Sequence, residues 1–148
     1  MNENAIAILG GTGDQGLGLA LRFARAGRAV AIGSRKEERA LAAAERVRAA
    51  VRGADVEGCE NREASTRAPI VILSLPFEHT GSTLESLRSA LAPEQIVVSM
   101  GVPLATAIGD RASRTVGVWQ GSCAELVAAL VPEGVQVVSL SHVDGATW

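Results

Sequence analysis

A short apolar run that ends in closely spaced glycines constrains this chain more than any other stretch. Residues 6–16 read Ile-Ala-Ile-Leu-Gly-Gly-Thr-Gly-Asp-Gln-Gly. Gly11, Gly13 and Gly16 match the spacing G-x-G-x-x-G, in which the glycines permit a tight turn, close approach to a pyrophosphate and close helix packing. Amides at the start of the following helix, together with its dipole, form an anion site. Because a strand precedes the glycines and a helix follows them, the pattern predicts dinucleotide binding rather than a purely structural turn.

The rest of the chain alternates apolar runs of strand length with helical patterns, an order typical of βαβ units. The clearest runs are apolar without polar alternation, as in a parallel sheet that is covered on both faces. Together these patterns predict an α/β fold, with a Rossmann-type doubly wound parallel sheet of about six strands in a three-layer αβα arrangement. The predicted strands span residues 5–9, 29–33, 55–59, 69–77, 96–100 and 135–140.

Helical patterns fill the intervals between these strands. Residues 61–68 are compatible with either a short polar helix or a loop. Ser122 is expected to cap the last helix, with Glu125 at the position of a capping box. Helices are predicted over residues 14–26, 80–91 and 123–130. Apolar residues predicted to face the core are Leu41, Ala44, Val47 and Val51 in the second helix, and Leu84, Leu87 and Leu91 in a later one.

Composition favours a globular domain whose partners are small molecules. Hydrophobic residues make up 47% of the 148 residues and charged residues 20%, values typical of a folded chain. The net charge is -2 with both signs interspersed, so no nucleic-acid partner is expected. No apolar run approaches the roughly 20 residues that span a membrane. The chain has no Tyr, which excludes the Tyr/Lys mechanism of short-chain dehydrogenases.

Cysteine usage indicates a reducing compartment. Cys59 and Cys123 are the only cysteines and lie far apart in the sequence. With two histidines at unrelated spacings, they do not form a metal site, so no metal is expected. We expect reduced thiols in a cytoplasmic protein. The amino-terminal residues lack the basic region of a signal peptide, in keeping with that location.

The residues after the second strand indicate which dinucleotide is bound. NAD-binding Rossmann units carry an acidic residue there, which accepts hydrogen bonds from the ribose 2′-hydroxyl. This chain has Ser34 and Arg35 instead, and Arg39 lies one helical turn further on. A guanidinium can bind a 2′-phosphate through paired, charge-assisted hydrogen bonds, whereas a carboxylate would repel it. The cofactor is therefore expected to be NADP(H), and residues 1–148 are interpreted as one NADP-binding Rossmann domain.

Two other strand ends supply candidate cofactor contacts at the same edge of the sheet. Leu75, Pro76 and Phe77 could cover the adenine-ribose side or wall the nicotinamide, although Phe77 is equally compatible with the core. His142 follows the last predicted strand. It could donate a hydrogen bond to the cofactor or be an exposed residue near the end of the chain.

With these stretches in place, the sequence resembles the NADPH-dependent reductases of the deazaflavin coenzyme F420. The similarity extends over nearly the whole chain and is more specific than the glycine motif alone. The matching segments are residues 10–21, 33–35, 39, 74–79, 96–99, 102–103, 122–126, 137–139 and 142.

The resemblance implies a role for each matching group of residues. It implies that the pyrophosphate is held by the glycine turn, at Thr12, Gly13, Asp14 and Gln15. It implies that the 2′-phosphate is held at the basic strand end by Ser34, Arg35 and Arg39, and that the nicotinamide is bordered by the apolar residues Leu75, Val102 and Ala146. In that family a hydride passes directly between the nicotinamide and the deazaflavin, so the resemblance implies no catalytic side chain. Coenzyme F420 is then the expected second substrate.

Members of that family continue beyond the sixth strand with a small helical domain that helps to close the deazaflavin pocket. This chain ends at Trp148, and one of three alternatives is then expected. A partner subunit completes the pocket, a smaller acceptor such as a flavin, imine or ketone is used, or the chain binds nucleotide without turnover. The apolar edge near residues 137–148 is a candidate surface for a homo-oligomer.

Overall fold

The computed structural model of the chain describes residues 1–111 and 113–140. Strands and helices alternate along most of this length. The strands are β1 (Ala5–Leu9), β2 (Ala29–Ser34), β3 (Val56–Glu60), β4 (Ile70–Leu73), β5 (Ile96–Ser99) and β6 (Gln136–Ser139). The α-helices are α1 (Asp14–Arg25), α2 (Glu37–Ala50), α3 (Asn61–Arg67), α4 (Phe77–Leu87) and α5 (Cys123–Leu130), and a 3₁₀ helix covers Ala105–Ile108.

All six strands form one parallel sheet in the order β3-β2-β1-β4-β5-β6. The chain first winds from β1 outwards through β2 to β3, and then crosses to β4 on the other side of β1. This reversal places a topological switch point between β1 and β4, where ligands of doubly wound sheets bind beyond the carboxyl ends of the strands. The predicted Rossmann-type sheet of about six strands is confirmed.

Helices cover both faces of the sheet, which confirms the predicted three layers. Along β1, Ala5, Ala7 and Leu9 face a core that includes residues of α3, α4 and α5. The alternate residues Ile6 and Ile8 face a second core that includes residues of α1 and α2. Both faces of the strand are thus buried, as the continuous apolar run predicted.

The core face of α2 differs from the predicted one. Leu41 is 46% exposed, whereas Ala40, Ala43, Ala44 and Val47 are buried. A Cβ at Gly58 of β3 would lie 2.3 Å from the carbonyl carbon of Ala40, so helix and strand approach too closely for a large side chain between them. The prediction that Leu41 faces the core was wrong because small residues, not the largest apolar ones, permit this contact.

The boundaries around Pro76 also differ from the predicted ones. Pairing in β4 ends at Leu73, and only the Ser74 amide continues the ladder, donating to the Leu9 carbonyl at 2.9 Å. Helix α4 then begins at Phe77, directly after Pro76, and ends at Leu87. The predicted strand was too long and the predicted helix was shifted towards the carboxyl end. Leu84, Leu87 and Leu91 are buried as predicted.

Two other local features are clear. Residues 61–68, for which helix and loop were both open, contain the helix α3. Helix α5 has the predicted bounds, and the Ser122 hydroxyl caps it by accepting a hydrogen bond from the Glu125 amide at 3.2 Å. Within the part of the chain that the structure describes, no helix has the length and apolarity needed to cross a bilayer.

Cys59 is the next-to-last residue of β3 and is 5% exposed. Burial raises the pKa of the Cys59 thiol to about 11, and the nearby carboxylates of Glu63 and Glu57 add to the effect. The folded protein therefore keeps this thiol protonated over a pH range in which an exposed cysteine ionises.

This difference predicts a loss of stability at alkaline pH. The unfolded chain loses the Cys59 proton first, so the free energy of unfolding falls as pH rises from about 9 to about 11. In Cys59→Ser the decline should be smaller by on the order of 1–2 kcal/mol near pH 10.5. Urea denaturation of both proteins at pH 8 and near pH 10.5 measures this difference, and parallel declines would contradict it.

Candidate functional site

The glycine turn between β1 and α1 has the close contacts that its spacing predicted. A Cβ at Gly16 would lie 2.5 Å from the Gly11 Cα, and a Cβ at Gly11 would lie 2.9 Å from the Ile8 carbonyl oxygen. At Gly13, by contrast, a Cβ would meet nothing within 4 Å. Gly11 and Gly16 therefore pack the helix onto the strand, and Gly13 leaves its backbone open to a ligand.

The amino terminus of α1 faces this open space without a side-chain cap. Gly13 is the N-cap residue and makes no side-chain hydrogen bond to the helix. Asp14 and Gln15 form the first turn of α1, whose amides have no acceptor within the helix. Together with the helix dipole, these amides can bind an anion such as a phosphate.

Cationic side chains gather where β2 ends. Ser34 is only 6% exposed, and its Oγ accepts a hydrogen bond from the Lys36 amide at 3.3 Å. Arg35, Lys36 and Arg39 are exposed and line the same groove. Within residues 1–111 and 113–140 none of these three cations is paired with a carboxylate, because the ion pairs there involve other residues. Their charges are available to an anionic ligand.

An open groove of about 910 Å³ joins these features along the carboxyl ends of the strands. Following the strand order, it runs from the cationic end of β2, past the turn after β1, to the ends of β4 and β5. Beyond β4 it is lined by Leu75, Pro76 and Phe77, and beyond β5 by Met100 and Val102. One end of the groove is therefore basic, and the other is largely apolar.

Most of the predicted cofactor contacts meet in this groove, although their role in binding stays a prediction. Gly11 and Gly16 lie buried beneath it. His142 and Ala146 fall outside the residues that the structure describes. Predicted contacts that line the groove are Thr12, Gly13, Asp14, Gln15, Ser34, Arg35, Arg39, Leu75, Pro76 and Val102.

Phe77, for which a groove wall and a core position were both open, lies in the same groove as its neighbour His79. Phe77 is half-buried and lines the groove, so it is not a core residue. His79 lines the same groove as a partly exposed residue of α4. Their neighbour Glu78 adds a carboxylate at this end, away from the cations at the end of β2.

Several residues that line the groove were not predicted as site residues from the sequence. Asn61, Ser74 and Met100 line the groove. The Ser74 hydroxyl donates to Gln15 Oε1 at 3.3 Å, which links the end of β4 to the first turn of α1. Asn61 lies in the polar stretch whose structure was left open, and its position directly after a strand was the only available signal.

Among the residues that the structure describes, no group of His, Cys, Asp and Glu could hold a metal ion.

Gly16 and Gly13 should respond differently to substitution. In Gly16→Ala the new methyl group would overlap Gly11, which should destabilise the fold by on the order of 1–3 kcal/mol. Gly13→Ala places its methyl group in open space at an ordinary φ of -80°. Its unfolding temperature should stay close to that of the wild type, and calorimetry showing an equal loss for both variants would contradict this geometry.

Comparisons with known proteins show a family to which the sequence is similar. Residues 5–103 match the family model described as NADP oxidoreductase, coenzyme F420-dependent. The F420-dependent NADP reductase of Methanocaldococcus jannaschii is 49% identical over 142 residues, covering 93% of this chain and 63% of the relative. That of Methanothermobacter thermautotrophicus is 44% identical over 131 residues, covering 86% of this chain and 56% of the relative.

Solved structures show the same fold. A candidate F420-dependent NADP-reductase from Arthrobacter sp. FB24 superimposes with a TM-score of 0.74 at 22% identity, covering 93% of this chain and 61% of that one. The chain thus spans somewhat less than two thirds of the curated relatives and of this structural neighbour.

Proposed function

The chain belongs to the family of coenzyme F420-dependent NADP oxidoreductases, and from this premise we propose that it binds NADP(H) for hydride transfer to or from the deazaflavin F420. The relatives named above are F420-dependent NADP reductases. Residues 1–148 act in this proposal as the NADP-binding Rossmann domain.

The observation that carries the proposal is the cationic cluster at the end of β2, which has no carboxylate partner among the residues that the structure describes. A 2′-phosphate distinguishes NADP from NAD, and it carries charge that must be compensated when the cofactor binds. Arg35 and Arg39 can supply guanidinium donors, and Ser34 can donate its hydroxyl hydrogen while its oxygen accepts from Lys36. NAD-specific domains place a carboxylate at this position, which would repel the phosphate.

The rest of the groove fits the remainder of the cofactor. The open turn at Gly13 and the uncapped terminus of α1 would receive the pyrophosphate. Leu75, Pro76 and Val102 would then border the nicotinamide at the apolar end. His142 and Ala146 complete the proposed cofactor contacts from outside the described residues.

The proposed chemistry requires orientation rather than an acid, base or nucleophile. When bound, NADPH would supply a hydride, which is a proton with two electrons, to an oxidised deazaflavin ring, and solvent would supply the proton that completes the reduction. The task of this chain is to hold the nicotinamide ring with one face open to the acceptor and to exclude water beside it. Apolar walls at Leu75, Met100 and Val102 are suited to this task, and no catalytic side chain is proposed.

We also propose a cytoplasmic location and small-molecule partners, without nucleic acid or membrane. Cys59 and Cys123 are buried free thiols, the state that a reducing compartment maintains. The net charge of -2 does not favour binding to a polyanionic nucleic acid,. Val138 and Leu140 are exposed at the outer strand β6, which supports a homo-oligomeric contact there.

Loss of a 2′-phosphate partner should discriminate between the two nicotinamide cofactors. In Arg35→Ala the dissociation constant for NADPH should rise by about 10–100-fold, because a charge-assisted hydrogen bond is removed. Binding of NADH, which has no 2′-phosphate, should change by less than about threefold. Calorimetric titration of both cofactors measures the difference.

The matched control is Arg46→Ala. Arg46 is an exposed arginine of the same helix as Arg39 and does not line the groove. The Arg46→Ala variant should bind both cofactors like the wild type. This result would show that the loss in Arg35→Ala comes from a local contact and not from a general loss of positive charge. An equal weakening of NADPH and NADH in Arg35→Ala would contradict the proposed position of the phosphate.

Hydride transfer itself is tested with NADPH deuterated at the transferring position of the nicotinamide and oxidised F420. The deazaflavin absorbance should fall, and the deuterium should appear in the reduced deazaflavin rather than in the solvent. Intact NADPH binding without any absorbance change would show that this chain binds the cofactor but does not turn it over.

A further inference from the structure

We propose that Asn61 is a positioning residue for the pyrophosphate-binding turn, and that its neutral side-chain amide adapts the adenosine half of the groove to an anionic dinucleotide. The inference rests on the proposed NADP(H) binding, because it concerns the same groove. It assigns a function to a residue that neither the glycine spacing nor the basic strand end includes.

Asn61 reaches the site from the neighbouring strand. It follows directly after Glu60, which is paired in register with Ser34 at the carboxyl ends of β3 and β2. Its side chain is 7% exposed, lines the groove, and accepts a hydrogen bond from the Gly10 amide through Oδ1 at 3.3 Å. Asn61 therefore connects the start of α3 to the first residue of the turn.

The bond to Gly10 fixes the orientation of the Asn61 amide. Gly10 adopts a left-handed conformation with φ 72°, where the chain leaves β1. Its N–H is a donor, so the atom that faces it must be the oxygen of Asn61, and the NH₂ group points elsewhere. Within residues 1–111 and 113–140 this NH₂ group has no hydrogen-bond partner. Its donors are available to a ligand in the groove.

Close packing leaves Asn61 little freedom to move. A Cβ at Gly33 would lie 2.8 Å from Asn61 Oδ1, so the side chain lies directly against the β2 backbone. The Gly11 amide, next in the turn, donates to the Gly33 carbonyl at 3.1 Å. Two successive amides of the turn are thus held from β2 and α3, and a change at Asn61 would be transmitted to the amides that receive the phosphates.

Charge explains why an amide suits this position better than its acidic isostere. Aspartate has almost the same shape and could still accept the Gly10 N–H. Its negative charge would lie in a poorly solvated position beside an expected polyanion, and it would exchange two donors for acceptors. Asn61→Asp should therefore keep the hydrogen bond that holds the turn while making the site less favourable for an anionic ligand.

The experiment titrates NADPH into the wild type, Asn61→Asp, Asn61→Ala and the control Asn2→Asp. Asn2 also accepts a backbone amide hydrogen through Oδ1, from Asn4, but it is exposed and does not line the groove. In Asn61→Asp the dissociation constant should rise by at least about tenfold, and the increase should shrink at high salt. Asn2→Asp should bind like the wild type.

In Asn61→Ala the loss should be smaller, and the Gly10 amide should exchange with solvent at least about tenfold faster than in the wild type. Amide exchange by NMR measures this directly without a cofactor, and it still tests the inference if Asn61→Asp fails to fold. In turnover, KM for NADPH should rise while kcat at saturation stays within about twofold, because the contact lies away from the transferred hydride.

The outcomes separate this inference from the proposed function. A wild type that does not bind NADPH would refute the proposed function, whereas the Gly10 exchange rates would still report on the turn. A wild type that binds NADPH, with Asn61→Asp binding equally tightly or with Gly10 exchange unchanged in Asn61→Ala, would overturn the role of Asn61.

Discussion

The close approach of helix α1 to strand β1 is the contact on which the rest of the site depends. It exists because Gly16 and Gly11 have no side chains, and a single added methyl group at Gly16 would overlap the Gly11 backbone. This approach directs the uncapped amino terminus of α1 at the switch point of the sheet, between β1 and β4. A ligand with a pyrophosphate can then be bound by backbone amides whose positions are set by the core rather than by flexible side chains.

In the proposed function, the cationic side chains at the end of the next strand, β2, set the specificity for the cofactor. The switch-point geometry suits any dinucleotide, but the side chains after β2 determine which ribose is accepted. Arg35 and Arg39 have no carboxylate partner among the described residues, so a ligand phosphate would not have to displace an internal ion pair. Farther along the groove the lining is mainly apolar, apart from Glu78 and His79 of α4, and an apolar lining suits the proposed hydride transfer because it excludes water.

Much of this fold could be predicted from the sequence because both faces of the central strands are buried. Continuous apolar runs such as Ala5–Leu9 have few alternatives to a covered parallel strand, and the Ser122 cap fixed the start of α5. Predictions failed where tertiary contacts overrode local pattern. Leu41 suggested a core position, but the close contact between Gly58 and Ala40 allows only small residues there.

The parts of the site that lie in one short stretch of sequence could be predicted, and the parts that depend on strand pairing could not. The glycine turn and Ser34-Arg35 are short motifs with a physical reason for each residue, and the structure brings them together in one groove. Asn61 escaped prediction because its importance comes from register, since β3 must pair with β2 before Asn61 can reach Gly10. Met100 likewise reaches the groove only once β5 has joined the sheet beside β4.

The central claim is that one groove holds the pyrophosphate at α1 and the 2′-phosphate at the end of β2. A crystal structure of the protein with bound NADP⁺ tests it most directly. The account predicts the pyrophosphate against the amides after Gly13 and the 2′-phosphate among Ser34, Arg35 and Arg39. A cofactor bound elsewhere, or an adenosine ribose turned away from these three side chains, would contradict it.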